Sequence, residues 1–133
     1  MNIKANETMT TAKQTHFIYN KHVVKDITTG LVWQREVPDG NFSLEEAKDY
    51  ARELRLGGLT DWRVPTKEEL ESIVDRAKFN PAIDIEVFPN TPSSHFWTCS
   101  PSAYSSHSAW IVNFSLGSSY NDVNGYSRVR CVR

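Results

Sequence analysis

From Pro89 through Ser127 the chain contains no Lys, Arg, Glu, Gln or Met, although Lys and Glu are common before Pro89. The sequence therefore divides into a charged half, where helical periodicity recurs, and a half rich in Ser, Tyr and Asn and without Lys, Arg or Glu, where it is absent. A chain of 133 residues has room for one domain and one core. Together these features predict a single α+β domain over 16–133, behind a disordered polar tail over 1–15.

Two helix starts stand out in the charged half. Ser43-Leu44-Glu45-Glu46 and Thr66-Lys67-Glu68-Glu69 each place a hydroxyl N-cap three residues before a glutamate, so each side chain can satisfy a backbone N–H of the first turn. Leu44, Ala47, Tyr50, Ala51 and Leu54 then recur at helical spacing, with Gly57-Gly58 read as the left-handed stop. The second stripe, Leu70, Ile73, Val74 and Ala77, predicts a helix reaching Asn80-Pro81. Phe17–Tyr19 and Val23-Val24, with a turn at Thr28–Gly30 and then Leu31–Gln34, read as a hairpin. Three later runs, 96–99, 109–114 and 128–132, read as strands, with loops at 100–108 and 115–127 between them.

Composition narrows the function. Hydrophobic residues at 39% and charged residues at 23% place the chain among folding sequences. With 15 Lys plus Arg against 16 Asp plus Glu, no global field draws it to nucleic acid. No run approaches the roughly 18 apolar residues of a membrane span, and Met1 to Gln14 lacks the apolar core of a signal peptide. Membrane insertion is not expected, and localisation stays open on these grounds.

Four histidines and many serines are present, but no Gly-x-Ser-x-Gly elbow, phosphate loop or His-Glu-x-x-His helix organises them, so no catalytic residue and no cofactor are expected. His95, Cys99, His107 and Cys131 lack the spacing of a zinc knuckle. Asn90, Asn121 and Asp122 form only a defective calcium signature, which reads as turn chemistry. No metal is expected. Cys99 and Cys131 are either two free thiols or a cystine closing about 33 residues, a bridge worth on the order of 3 to 4 kcal/mol. Tyr104, His107, Tyr120, Asn121, Asp122, Asn124 and Tyr126 combine flat amphipathic rings with short hydrogen-bonding groups, the mixture antibody paratopes use. They are the candidate ligand-binding residues. Arg128 and Arg130 alternate with Val129 and Cys131, so a strand would turn both guanidiniums to one side, where they grip an anion or form an ordinary salt bridge. Trp33, Trp62, Trp97 and Trp110 sit in apolar contexts and are assigned to the core.

The order of segments resembles the Lcl C-terminal domain of collagen-like bacterial adhesins. The likeness runs through 24–34, Ala47, Gly58-Leu59-Thr60-Asp61-Trp62-Arg63-Val64-Pro65-Thr66, Glu69-Leu70, 88–91, 96–98, 109–114, Gly117 and 129–133. That family is similar to the C-type-lectin-like superfold, which implies two helices flanking a small twisted antiparallel sheet with long C-terminal loops. The resemblance implies structural roles for Trp62, Arg63 (paired internally) and Thr66. It also implies adhesion or ligand binding, an extracellular or surface location, and a trimer, although this chain has no Gly-x-y repeat to enforce one. Variable proteins of diversity-generating retroelements share the superfold, and their adenine-directed codons exclude Lys, Glu, Gln, Met and Trp. Only Trp97 and Trp110 break that exclusion over 89–127. The formylglycine-generating oxidases are also similar in fold, but they are far longer, and Cys99 and Cys131 match framework positions, so an oxidase of that type is kept only as a remote alternative. The expected partners are a glycan or glycosaminoglycan first, and a cell-surface protein second.

Overall fold

A computed structural model of the chain describes residues 8–12, 16–103, 108–122 and 125–133. The order is β1 (Thr10–Thr11), β2 (Phe17–Tyr19), β3 (Val23–Asp26), β4 (Val32–Gln34), α1 (Leu44–Glu53), α2 (Lys67–Glu71), β5 (His95–Pro101), β6 (Ala109–Asn113) and β7 (Ser118–Asp122). Neighbouring strands run antiparallel in two sheets, one ordered β1-β2-β3-β4 and the other β5-β6-β7, where one small sheet was expected. None of the described helices is long and apolar enough to cross a membrane.

Consecutive apolar residues in the strands explain how these sheets are covered. Side chains alternate between faces along a strand, so Val23-Val24, Val32-Trp33, Phe96-Trp97 and Ile111-Val112 offer an apolar group to both sides. Val24, Trp33, Phe96 and Val112 join one buried cluster with Leu70 of α2. Val23, Val32, Trp97 and Ile111 join a second with Ala47 and Ala51 of α1. Each helix thus serves its own cluster, an α+β arrangement with the sheets between.

Both capping boxes form. Ser43 Oγ accepts from Glu46 N–H and the Glu46 carboxylate accepts from Ser43 N–H, and Thr66 and Glu69 make the same exchange. The helix ends differ from expectation. Gly57 and Gly58, both at positive φ, do not stop α1, which ends at Leu54 in extended backbone; they form a two-residue turn that pairs Leu56 with Leu59. The helix α2 has only five residues. Beyond it the Ser72 hydroxyl donates to the Glu69 carbonyl, Asp75 accepts from Ala77 N–H, and Asp75 N–H turns to the Ala82 carbonyl. These local side-chain bonds replace helical ones. Leu70 and Ile73 are nonetheless buried, the latter in turns, and Val74 is half-buried, whereas Ala77 at the end of the stripe is exposed, so the stripe marked burial only over its first part and did not mark helix length.

Three further expectations change. Thr10 and Thr11 pair with Tyr19 and Ile18, and Ala12 is buried, so the segment read as a tail contributes a strand. Residues 115–127 are not one loop: Ser118–Asp122 forms β7, in unbroken register with β6 from Asn113↔Ser118 to Ala109↔Asp122. Residues 128–132 form no ladder; they make isolated pairings with Phe96 on one sheet and with Trp33 and Arg63, while Gln34 N–H donates to the Cys131 carbonyl.

The turn joining β6 to β7 depends on Gly117, which has φ of +88° and whose missing Cβ would sit 2.6 Å from Val74 Cγ1. Gly117→Ala is expected to cost about 1–3 kcal/mol in denaturant unfolding, from backbone strain and overpacking together.

Candidate functional site

The β6–β7 hairpin and the segment after it carry most of the candidate residues that fall within the described chain. Tyr120 lies opposite Ile111 and Asn121 opposite Trp110. Because paired residues share a face, Tyr120 stands on the α1 side of the sheet with Ile111, and Asn121 on the α2 side with Trp110 and Val112. Both are exposed, Tyr120 by 49%. They therefore do not form one patch; they flank an edge strand from opposite sides. The backbone of Asp122 pairs with Ala109. Tyr126 is 68% exposed and precedes Ser127, whose backbone pairs with Phe42. Tyr104, His107 and Asn124 lie outside the described residues.

The arginine pair does not present two guanidiniums to a ligand. Arg130 is 1% exposed: its guanidinium donates to the carbonyls of Gln34 (2.7 Å) and Arg35 (2.6 Å) and to Thr91 Oγ1 (2.8 Å), and it lies over the Phe88 ring. Burial pushes its pKa down to about 9, which leaves it charged at neutral pH. Strand alternation fails because Val129 through Val132 are all enclosed, so Arg130 has no open side. Arg128 is half-buried, with its backbone bonded to His95 and Trp97.

Trp33, Trp62 and Trp97 are core residues, but Trp110 is only half-buried. The short helix explains this. Five residues at about 1.5 Å each cover roughly half of a five-residue strand that rises about 3.3 Å per residue. Val112 lies beneath α2, whereas Trp110 emerges where α2 begins, with Lys67 Nζ 5.1 Å from its ring centre. Lys67 also pairs with Glu71 at 3.2 Å, Ser119 Oγ donates to the same carboxylate oxygen, and Lys67 N–H donates to Ser100 Oγ. The Ser119 bond, with help from Lys67, holds the Glu71 carboxyl below its ordinary range. Sequence reasoning assigned Trp110 to the core, passed over Lys67 and Glu71, and took in Ser100 and Ser119 only as members of the loops at 100–108 and 115–127. The one local signal was the four-residue spacing of Lys67 and Glu71.

Arg63 pairs within the chain, two nitrogens to two oxygens of Glu69, both at 2.7 Å, although at the surface. The cysteines are both free thiols, Cys99 exposed and Cys131 buried. Cys99 lines a groove of about 310 Å3 with Lys48, Ala51, Arg52, Trp62, Arg63 and Val64. Burial raises the Cys99 thiol pKa and pushes Cys131 up to about 12. A maleimide should therefore label one thiol in the folded protein, at Cys99, and two in denaturant; no label under either condition would mean a cystine. Among the described residues no three His, Cys, Asp or Glu side chains gather as metal ligands. The Asn90 amide donates to Glu36.

No curated protein matches the chain at a significant level. A family model described as the Lcl C-terminal domain matches residues 22–133, taking in both helices, the second sheet and the bridging segment at 128–133. Since that match spans most of the chain, the protein belongs to the Lcl C-terminal domain family and carries its adhesin-like, ligand-binding character.

Proposed function

We propose that the domain is a non-enzymatic, adhesin-like binding module that recognises glycans through β7 and the segment that follows it. The observation that carries this reading is the exposure of Tyr120 and Tyr126, two large amphipathic rings on backbone fixed by pairing to β6 and to Phe42. Such rings are low-entropy anchors for a ligand. The placement of α1 and α2 on opposite sides supports a C-type-lectin-like architecture for the module. With Arg130 enclosed, the affinity comes from stacking and hydrogen bonds, so it is expected to be insensitive to salt.

The test is binding of labelled protein to a glycan and glycosaminoglycan array, with calcium and with chelator, at low and high salt. Hits that persist at high salt are expected. Tyr120→Ala and Tyr126→Ala should each weaken them about tenfold, or about 1.4 kcal/mol, with the thermal midpoint almost unchanged. Absence of any hit overturns glycan recognition and favours a protein receptor, the second reading, which the Ser, Tyr and Asn content of 100–127 supports.

A further inference from the structure

Tyr120 and Asn121 are exposed on opposite faces of the edge strand β7, and the α2 face holds a second group of residues suited to a sugar. The half-buried indole of Trp110 lies directly across the ladder from the exposed amide of Asn121. The Lys67 ammonium lies over the indole and pairs with the Glu71 carboxylate, which also accepts from the Ser119 hydroxyl on the same face of the sheet, and Ser100 is bonded to the Lys67 backbone. An aromatic face packs against the C–H face of a pyranose ring, while amide, hydroxyl and carboxylate groups beside it bond the ring hydroxyls.

Charge decides the kind of sugar. Lys67 is committed to Glu71, and Arg76, the next cation felt by that carboxylate, donates to the Gly117 carbonyl. Beside the indole, the Lys67 charge is balanced by Glu71, so that pair offers no net positive charge to hold a sulfate. Resting on the glycan-binding reading above, we infer that Trp110 and Asn121 form a second subsite that takes an uncharged pyranose, so that one glycan chain straddles the β7 edge and touches Tyr120 on one face and Trp110 on the other.

The experiment uses the full chain against immobilised neutral oligosaccharides of the glucose, galactose, mannose and N-acetylglucosamine series, with heparin as the sulfated counter-probe. Trp110→Ala should weaken neutral-glycan binding at least tenfold, Asn121→Ala about threefold to tenfold, and Trp110→Phe should retain most of it. Methyl glycosides should also shift the Trp110 indole N–H resonance. Asn121 is exposed, so its variant keeps the fold and remains informative if Trp110→Ala unfolds. If neutral glycans bind and only Tyr120→Ala or Tyr126→Ala weakens them, the subsite is overturned and the adhesion reading stands. Binding to heparin alone overturns the neutral class. Binding to neither probe overturns both readings.

Discussion

Arg130→Ala is expected to lower the unfolding free energy by about 3–5 kcal/mol, the largest loss foreseen for a polar residue in this domain. Its guanidinium is the shared donor for the carbonyls of Gln34 and Arg35 at the end of β4 and for Thr91 ahead of β5, so its removal takes the donor from two carbonyls, leaves the Thr91 hydroxyl with its bond to the Phe88 carbonyl alone, and opens a void against Phe88. Arg130→Lys should recover only part of this, because an ammonium cannot span the three acceptors that a planar fork reaches together. Chemical denaturation of the three proteins provides the measurement. A loss under about 1 kcal/mol for the alanine variant would show that Arg130 does not join the two sheets in this way.

Trp97→Ala should cost about 3–5 kcal/mol, through a cavity in the α1 cluster and the loss of one bond. The indole is 1% exposed, and its Nε1–H donates to the Phe42 carbonyl at 2.7 Å. Phe42 in turn pairs with Ser127, the residue after Tyr126. Trp97→Phe separates the two effects. It keeps an aromatic ring in the cluster but removes the bond, so a loss of about 1–2 kcal/mol is expected, accompanied by faster amide exchange at Ser127. Unchanged exchange there would mean that the tyrosine-bearing segment is held by its own pairing with Phe42 alone.

What the sequence made legible was local. The capping boxes at Ser43 and Thr66 involve partners three residues apart, and both form. The stripe at Leu70 and Ile73 correctly marked buried positions, but its continuation as helix was decided by Ser72 and Asp75, whose side chains bond nearby backbone instead. Strand β7 was illegible because Ser-Ser-Tyr-Asn-Asp has neither alternation nor strong strand propensity; its conformation is imposed by β6 through the tight turn at Gly117. Arg128 and Arg130 misled for a related reason: alternation predicts two faces only for a strand with one open side, and residues 129–132 have none. Tyr120 and Asn121 were grouped as neighbours in sequence, whereas the pleat sends them to opposite faces. Trp110 was unreadable as a surface residue because its exposure depends on where α2 stops.

The segment at 128–133 also bears on how the chain comes to be folded. Arg133 and Val32 exchange both backbone bonds, Val132 and Arg63 do the same, and Arg128 bonds to His95 and Trp97. The first of these contacts joins residues 101 positions apart, and such non-local pairings close slowly because loop entropy must be lost before they form. During synthesis β3, β4, α1 and α2 emerge with part of each apolar cluster still missing, since Phe96, Trp97, Ile111, Val112, Val129 and Val132 follow later. The nascent domain is therefore a sticky, incomplete layer until residues 128–133 clear the ribosome, and its yield in cells should depend on chaperones over that interval more than on its final stability.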